Sequence, residues 1–436
     1  MLRTIKLLAC LAGAAAPWFL MTATIGSAAD ETFTVKQIIS LPNGQSVVSF
    51  DIGFDDANIH TFVFADRQNK AVDVIDTNTN TIVKQLTASP PFAGVRASPG
   101  QSSGPDGVII VDQREVWAGD GPSSCTGTVC THDSSIKAID IKTGATIAVM
   151  NTGGQRRADE LCEAVNHEVV LMANDNPLDS FITFWSTETH TMLGKIRFDG
   201  TDPKGKNIAA NGIEQCKHDP RTDKFYLNIP ATVDPTTNNA GVVVVMSPVA
   251  PFTIEKVITI PTSTGCTGPA GMAIGPNHQI LLGCGGTASL IIDDRDGGII
   301  AFLGGATSDE AWYNPGDNHY FLATDGVLSV VDHTGAQDLP AVTANGSHVV
   351  AADMLKNQVY VPINNNPAEG GASHICRDHG GDDAKGCIAV YTAKNDDRCL
   401  AQGMPVLDHD DGDDPVFMRT RCSDDRRADR SDDRDR

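Results

Sequence analysis

The sequence predicts an all-β protein, a seven-bladed β-propeller, and three observations lead to this fold class. A motif of short apolar strands and turns recurs about every 40–55 residues, seven times between Phe50 and Tyr391, which is typical of one four-stranded sheet per repeat. The 41 glycines and 23 prolines suit many short strands joined by tight turns. A strand-like segment ahead of the first repeat could close the ring.

The clearest copies of the motif read FDDANIHTFVFADRQNKAVDVIDTNTNTIVKQL at 54–86 and SSIKAIDIKTGATIAVM at 134–150. The last repeat ends with GCIAVYTAK at 386–394, a third strand without a convincing fourth. The segment ETFTVKQIISL at 31–41 has the rhythm of a fourth strand. We therefore expect the N-terminal strand to complete the final blade, which removes the exposed sheet edges that invite aggregation.

The two ends of the chain differ from the repeats. Residues 1–29 read as an export signal, with Arg3 and Lys6, an apolar stretch and the small-residue end Ser27-Ala28-Ala29; a membrane anchor is the alternative. Residues 30–396 form the predicted propeller. Residues 397–436 are highly charged and poor in apolar side chains, so we expect a disordered tail, although its aspartates could instead hold Ca²⁺.

Export would place the mature chain in an oxidising compartment, periplasmic or secreted, where disulfides persist. Ten cysteines follow Cys10 of the signal. Sequence spacing favours disulfide pairs, although it does not settle the connectivity. The pairs we expect are Cys125/Cys130, Cys162/Cys216 between neighbouring blades, Cys266/Cys284, Cys376/Cys387 and Cys399/Cys422. A free catalytic thiol or a zinc–thiolate site is the alternative.

The formal net charge of −22 bears on partners. Such a surface repels nucleic acid and anionic membranes. We therefore expect neither as a partner once the signal is cleaved, and we expect a small-molecule substrate or ligand. Oligomeric state does not follow from the sequence.

The repeats quoted above, with a valine-rich strand that ends in Asp before a Thr- or Gly-containing turn, resemble the YVTN (YncE-like) β-propeller repeat. The resemblance covers about 32–394 and extends in outline to the lactonase-type propellers. It implies the seven-bladed fold and, because the family has members of several functions, no single activity. The repeat GVVVVMSPVAPFTIEKV at 241–257 departs from the pattern, since it lacks the Asp-Thr-Gly turn.

Alignment of the repeats gives two sets of equivalent positions at the start of the innermost strands, and alternation should turn one set into the central channel. The first set is Phe50, Asp106, Asp159, Glu214, Ala270, Asp309 and His348. The second set is Asp51, Gly107, Glu160, Gln215, Gly271, Glu310 and Val349. Both sets bring several acids to the axis.

Carboxylates gathered in a narrow channel repel one another, so they must take up protons or bind a cation. Oxygen ligands favour Ca²⁺, Mg²⁺ or Mn²⁺, and an imidazole would admit Zn²⁺ or Fe²⁺. The candidate metal ligands are Asp106, Asp159, Glu160, Glu214, Asp309, Glu310 and His348. The alternative is that these acids only cap backbone N–H groups of the loops.

Two functions are compatible with these residues. The first is a divalent-metal-dependent hydrolase that opens a lactone or similar ester, with His348, Glu214 and Asp309 as catalytic residues; a lyase would use the same groups. The second is a non-catalytic propeller that binds a metal, a small ligand or a partner protein. The sequence lacks GxSxG, P-loop, GxGxxG-helix and HExxH motifs.

Overall fold

The computed structural model describes residues 32–97, 100–176, 179–198, 212–232, 239–324, 326–337, 341–342, 347–365 and 374–394. These residues form seven four-stranded antiparallel sheets, and the first strands of successive sheets contact one another around a common axis. The predicted seven-bladed propeller is therefore confirmed. The signal at 1–29, the tail at 397–436 and the Cys399/Cys422 pair lie outside the described residues.

The blades are numbered in chain order, each with its strands from the innermost to the outermost. Blade 1 contains Gly53–Asp56, Thr61–Asp66, Ala71–Asp76 and Thr81–Leu86. Blade 2 contains Val108–Val111, Glu115–Asp120, Ser135–Asp140 and Thr146–Asn151. Blade 3 contains Ala158–Ala164, Val169–Asn174, Phe181–Ser186 and Met192–Arg197. Blade 4 contains Cys216–Asp219, Lys224–Ile229, Asn239–Met246 and Ile254–Pro261.

Blades 5 to 7 continue the ring. Blade 5 contains Pro269–Ile274, Gln279–Cys284, Ala288–Asp293 and Ile299–Gly304. Blade 6 contains Glu310–Asn314, His319–Thr324, Val327–Asp332 and Ala341–Val342. Blade 7 contains Ala351–Asp353, Gln358–Ile363, Cys387–Ala393 and, as its outermost strand, Phe33–Ile39. A hairpin of Cys125–Thr126 with Val129–Cys130 and a short helix Ile375–Asp378 lie outside the sheets. Five 3-10 turns, Pro42–Gly44, Ala57–Ile59, Gly100–Ser102, Val165–His167 and Thr262–Thr264, complete the described elements.

The ring closes through the N-terminal strand, as the sequence predicts. Phe33–Ile39 runs antiparallel to Cys387–Ala393, with Phe33 opposite Ala393 and Ile39 opposite Ile388. Side chains also join the two ends, because Asn80 Nδ2 of blade 1 donates to Gln358 Oε1 of blade 7 at 2.8 Å. The ring is thus closed by the backbone hydrogen bonds of the N-terminal strand within blade 7 and by a buried side-chain hydrogen bond between blades 1 and 7.

The hydrophobic core lies between adjacent blades. The second strands are apolar on both faces and are buried along their length, as in Val169–Asn174, because each is covered by a blade on either side. The outermost strands alternate, as in Thr146–Asn151, where buried and exposed positions follow one another. Many of the polar side chains near the axis lie where the loops enter the innermost strands.

Four disulfides join the described cysteines, in the pairs expected from the sequence: Cys125–Cys130, Cys162–Cys216, Cys266–Cys284 and Cys376–Cys387. Such bonds are typical of proteins that fold in an oxidising compartment. Cys162–Cys216 joins the innermost strands of blades 3 and 4. No helix among the described residues combines the length and apolar character needed to cross a membrane.

Candidate axial site

The polar site lies where the chain enters the innermost strands, at the end of the channel that we call the entry face. Acidic side chains from both predicted sets meet there, because Asp51 and Asp106 both bind Arg67. The expectation that one set alone would face the channel is therefore wrong. Phe50 and Val349 instead pack into the hydrophobic core, at 2% and 0% exposure. We call the polar group at this face the axial cup; it consists of Asp51, Arg67, Asp106, Arg157, Asp159, Asp175, Glu214, Asp309 and His348.

Arg67 and Arg157 neutralise one half of the cup, formed by blades 1 to 3. Arg67 pairs with Asp51 and, through Nε, lies 2.5 Å from Asp106 Oδ1. Arg157 Nε lies 2.8 Å from Asp159 Oδ2, and its Nη atoms lie 3.3 Å from Asp51 and 3.4 Å from Asp175. The two guanidinium groups thus reach four carboxylates, which we call the clamped half.

Close backbone approach brings these acids together. Gly107 follows Asp106, and a Cβ at this position would lie 1.6 Å from the carbonyl oxygen of Asp159. Any larger residue would therefore force the start of blade 2 away from blade 3. Because residue 107 is a glycine, the carboxyls of Asp106 and Asp159 can lie close enough to share one arginine.

The electrostatics of the clamped half are set by burial and by these pairs. Burial raises the pKa of the Asp106 carboxyl, although Arg67 and Arg157 oppose the rise. Burial raises the pKa of Asp159 well above its usual value, with Arg157 opposing and Asp106 and Asp175 adding to the rise. Burial would lower the pKa of Arg157, but the surrounding carboxylates outweigh it and raise that pKa. Arg157 is therefore a fixed cation.

His348 lies at the edge of the clamped half. Its ring stacks on Phe50, with centroids 5.2 Å apart, and its Nε2 lies 3.7 Å from Asp51 Oδ1. Blade 7 thus contributes an imidazole beside a carboxylate that two arginines already bind. His348 is part of the cup, as the sequence predicts.

The other half of the cup, formed around Glu214 of blade 4 and Asp309 of blade 6, has less compensation. Burial raises the pKa of Glu214 well above its usual value, and the carboxylates of Asp175, Asp309 and Asp159 raise it further; Arg157 is the cation that opposes them. We call this the open half. A cation bound nearby would oppose this rise in the pKa of Glu214.

A second polar group, which we call the central network, crosses the channel one residue further along the innermost strands. It consists of Glu160 of blade 3, Gln215 and Lys217 of blade 4 and Glu310 of blade 6. Gln215 Nε2 donates to Glu310 Oε2 at 2.5 Å, and Gln215 Oε1 accepts from the backbone N–H of Met272 in blade 5. Side chains from blades 3, 4 and 6 and a backbone N–H of blade 5 thus meet at the axis.

The two glutamates of the central network are buried, at 4% and 5% exposure for Glu160 and Glu310. Burial raises the pKa of Glu310 to about 8. Burial also raises the pKa of Glu160 well above its usual value, with further rises from the charge of Glu310 and a hydrogen bond to it. Burial and the neighbouring charge therefore both oppose the simultaneous ionisation of the two carboxyls.

Lys217 is the cation of the central network. Burial lowers the pKa of its amine, while the charges of Glu310 and Glu160 oppose that change. Its Nζ lies 5.3 Å from the centroid of the Trp312 ring, and Trp312 packs edge-on against Phe54 of blade 1 at 5.6 Å. Lys217, Trp312 and Phe54 are half-buried and lie on the innermost strands of blades 4, 6 and 1.

The predicted metal ligands form no ready metal centre. Asp106 and Asp159 are bound by arginines, and Glu160 and Glu310 pair with each other. Among the residues that the structure describes, no group of three or more His, Cys, Asp or Glu side chains is arranged to hold a metal ion. Glu214 and Asp309 supply oxygen donors of the kind that hard cations prefer.

The basic residues are what the sequence interpretation missed. Arg67 directly follows Asp66 at the end of a second strand, and Arg157 precedes Asp159 by two residues. Lys217 follows Gln215 by two residues, which places both on the same side of the innermost strand. This alternation was the available signal for Lys217. Asp175, which follows the second strand of blade 3, also joins the cup through Arg157.

The fold and the axial site together define the class of protein, a seven-bladed β-propeller with a charged axial cup. No family model matches the chain, and no curated protein matches it. Among solved structures, the chain is similar to one titled "Structure of U3-55K", with a TM-score of 0.57 and 7% identity over 82% of this chain and 98% of that chain. A likeness at this identity shows the fold alone.

Proposed function

We propose that the protein is an exported β-propeller that binds a small cation in the open half of the axial cup. The observation that carries the proposal is the environment of Glu214, whose pKa is raised by burial and by the charges of Asp175, Asp309 and Asp159, with Arg157 opposing them. A bound cation would oppose this rise and stabilise the ionised carboxylate. A divalent metal, with Ca²⁺, Mg²⁺ or Mn²⁺ before Zn²⁺ or Fe²⁺, fits the oxygen donors, and an organic ammonium ion offers a single charge of the same sign.

Other features support the finer parts of the proposal. The four disulfides support a periplasmic or secreted location. The Asp-Thr turns quoted above support assignment to the YVTN (YncE-like) propellers. The net charge of −22 argues against nucleic acid and anionic membranes as partners.

Thermal unfolding in the presence of cations tests the proposal. We expect CaCl₂, MgCl₂, MnCl₂, ZnCl₂ or an alkylammonium salt to raise the Tm of the wild-type protein. Choline chloride serves as the organic cation, and its comparison with the metal salts at equal ionic strength shows which class of cation binds. Glu214→Gln should abolish the rise, because it removes the carboxylate while preserving its shape. Glu188→Gln changes the same charge at an exposed position and should keep the rise. If no cation raises the Tm, or if the rise survives in Glu214→Gln, the proposal fails.

The second candidate is a divalent-metal-dependent hydrolase acting on a lactone or ester. The observation that favours it is the carboxyl pair of Glu160 and Glu310 next to the cup, since a carboxyl with a raised pKa is a ready acid for a leaving group. In this candidate Glu214 and Asp309 hold the metal, and His348 accepts a proton from water. A screen of lactones and esters with and without a chelator tests it: turnover that EDTA abolishes supports the hydrolase, and no turnover of any ester contradicts it.

A further inference from the structure

The Cys125–Cys130 disulfide differs from the other three described disulfides in its surroundings. It ties a small hairpin that connects the second and third strands of blade 2. Cys125 is half-buried, and residues 126–129 at the tip are exposed. The cysteines of the other three pairs are at most 4% exposed and pack in the hydrophobic core. A reagent in solution therefore reaches the hairpin disulfide most easily.

Two arginines lie against this disulfide, one at each sulphur. Arg96 Nη1 lies 3.2 Å from Cys125 Sγ, and Arg156 Nη1 lies 3.4 Å from Cys130 Sγ. Arg96 comes from the connection between blades 1 and 2, and Arg156 comes from the connection between blades 2 and 3. A disulfide has no charge for these cations to balance, whereas the two thiolates formed by its reduction would have one each.

The arginine side chains are also held by the backbone of the hairpin. Arg96 Nη2 donates to the carbonyl oxygen of Ser123 at 3.0 Å, and Arg156 Nη2 donates to that of Thr128 at 3.0 Å. The N–H of Ser123 in turn donates to Asp133 Oδ1 at 3.0 Å. Because these contacts do not involve the sulphurs, we expect them to keep the cations in place after the S–S bond is broken.

The connecting segments that carry the two arginines are fixed as well. The backbone N–H of Arg96 donates to Ser103 Oγ at 3.0 Å. Arg157, which follows Arg156 in the chain, belongs to the axial cup, and its backbone N–H donates to the carbonyl oxygen of Gln101 at 2.6 Å. Both guanidinium groups are thus positioned before any reaction, which is what stabilisation of a developing charge requires.

We propose that Cys125–Cys130 is a redox site that exchanges with dithiols, and that Arg96 and Arg156 stabilise the thiolates released on reduction. The inference concerns the surface of blade 2 and does not depend on the cation site of the cup. Exchange proceeds by attack of a thiolate on a disulfide sulphur. A sulphur beside an arginine is the better leaving group, because a neighbouring cation stabilises the thiolate.

The steps balance between the disulfide and one dithiol. A thiolate of the dithiol attacks Cys125 Sγ, the more exposed sulphur, and forms a mixed disulfide; the S–S bond breaks, and its electron pair leaves on Cys130 Sγ beside Arg156. The second sulphur of the dithiol, once deprotonated, then attacks the first. The mixed disulfide breaks, and its electron pair leaves on Cys125 Sγ beside Arg96. The dithiol is oxidised to a disulfide by two electrons, the protein disulfide is reduced, and the two protons pass to solvent or to the new thiolates.

The first experiment uses the wild-type protein, so that it does not depend on a variant folding. The folded protein is treated with dithiothreitol at pH 7.5, free thiols are trapped with iodoacetamide at successive times, and each cysteine is quantified by peptide mass spectrometry. We expect Cys125–Cys130 to be reduced at least about 10-fold faster than Cys376–Cys387, which also closes a short loop. Equal rates would overturn the proposal.

The pH dependence of alkylation tests the arginines, since exposure alone would also favour fast reduction. The protein reduced at Cys125–Cys130 is freed of dithiothreitol, and the rate of alkylation of Cys130 is measured between pH 5 and pH 10. An ordinary cysteine thiol is half ionised near pH 8.5. We expect the midpoint for Cys130 to lie at least about one pH unit lower. A midpoint at or above about 8.5 in the wild-type protein contradicts the proposal, whatever the variants show.

Variants then separate charge from structure. Arg156→Gln should raise the midpoint for Cys130 towards 8.5 and slow the reduction by dithiothreitol about 10-fold, whereas Arg156→Lys keeps the charge and should keep the lower midpoint. Arg197→Gln removes a half-exposed arginine from blade 3 and should change neither quantity. A purely structural role of Arg156 would alter the Tm without moving the midpoint. An unchanged midpoint in Arg156→Gln, with a Tm that shows a folded protein, would therefore also overturn the proposal.

Discussion

The two halves of the axial cup differ in how their acids are compensated. In the clamped half, two arginines reach Asp51, Asp106, Asp159 and Asp175. In the open half, the charges of Asp309 and of the clamped Asp175 and Asp159 raise the pKa of Glu214, and Arg157 opposes them. Paired acids can hold blades together without a ligand, whereas acids without matching cations must bind protons or an external ion. We therefore expect the clamped half to stabilise the ring, and the proposed function places the bound cation in the open half.

Removal of Arg157 should have the largest effect, because it breaks the clamp. Arg157→Met leaves four largely buried carboxylates to share Arg67, and we expect a loss of about 3–5 kcal/mol in the free energy of unfolding. Urea unfolding at pH 7 measures it. The control is Arg197→Met, which breaks a half-exposed pair with Asp179 and should cost less than about 1 kcal/mol. Equal losses in both variants would contradict the distinction between the two halves.

The Cys162–Cys216 disulfide lies at the boundary, since it joins the clamped blade 3 to blade 4 of the open half. Its cysteines are 54 residues apart, against 5 for Cys125–Cys130. Loop-closure entropy predicts losses of about 4 and 2 kcal/mol when each is replaced by a pair of alanines. Urea unfolding of the two double variants checks the order. A larger loss for Cys125→Ala/Cys130→Ala would show that chain entropy does not govern these bonds.

The sequence predicts the fold further than the site because the fold depends on local, repeated patterns. The repeat period gives seven blades, and the rhythm of 31–41 gives the closing strand, whose pairing with Cys387–Ala393 the structure confirms. The alignment of the repeats also predicts that acidic side chains lie near the axis. Each of these inferences needs only the alternation of side chains along a strand.

Which basic residues neutralise those acids depends on contacts between residues far apart in sequence, and no local sequence pattern predicts such contacts. Arg157 meets Asp51 across 106 residues of sequence, and Arg67 meets Asp106 across 39. Both arginines come from connecting segments outside the innermost strands, whose direction is fixed only by the packed ring. The set of acids was therefore predictable, while the division into clamped and open halves was not.

The pH dependence of stability tests the central network, and we expect a smaller effect than for Arg157 or the disulfide. The pKa of Glu310 is raised to about 8 in the folded protein, above the value of an unfolded chain, so the stability it contributes is present at acidic pH and is lost as pH rises towards 8. Glu310→Gln removes this titration. We expect the variant to match the wild type near pH 5 and to exceed it by about 1–3 kcal/mol at pH 8.5, measured by urea unfolding. Glu188→Gln should show no such pH-dependent gain, and a parallel profile for Glu310→Gln would contradict the raised pKa.

We expect the smallest loss of stability on substitution of His348. This substitution tests whether Arg67 and Arg157 alone neutralise the acids of the clamped half. Its Nε2 lies 3.7 Å from Asp51 Oδ1, but Arg67 and Arg157 bind the other oxygen of that carboxylate. His348→Gln therefore leaves Asp51 paired, and we expect a loss below about 1 kcal/mol in urea unfolding. A loss of about 2 kcal/mol or more would mean that blade 7 supplies a third cation to the clamp. A small loss combined with abolished ester turnover would instead place His348 in the chemistry of the open half.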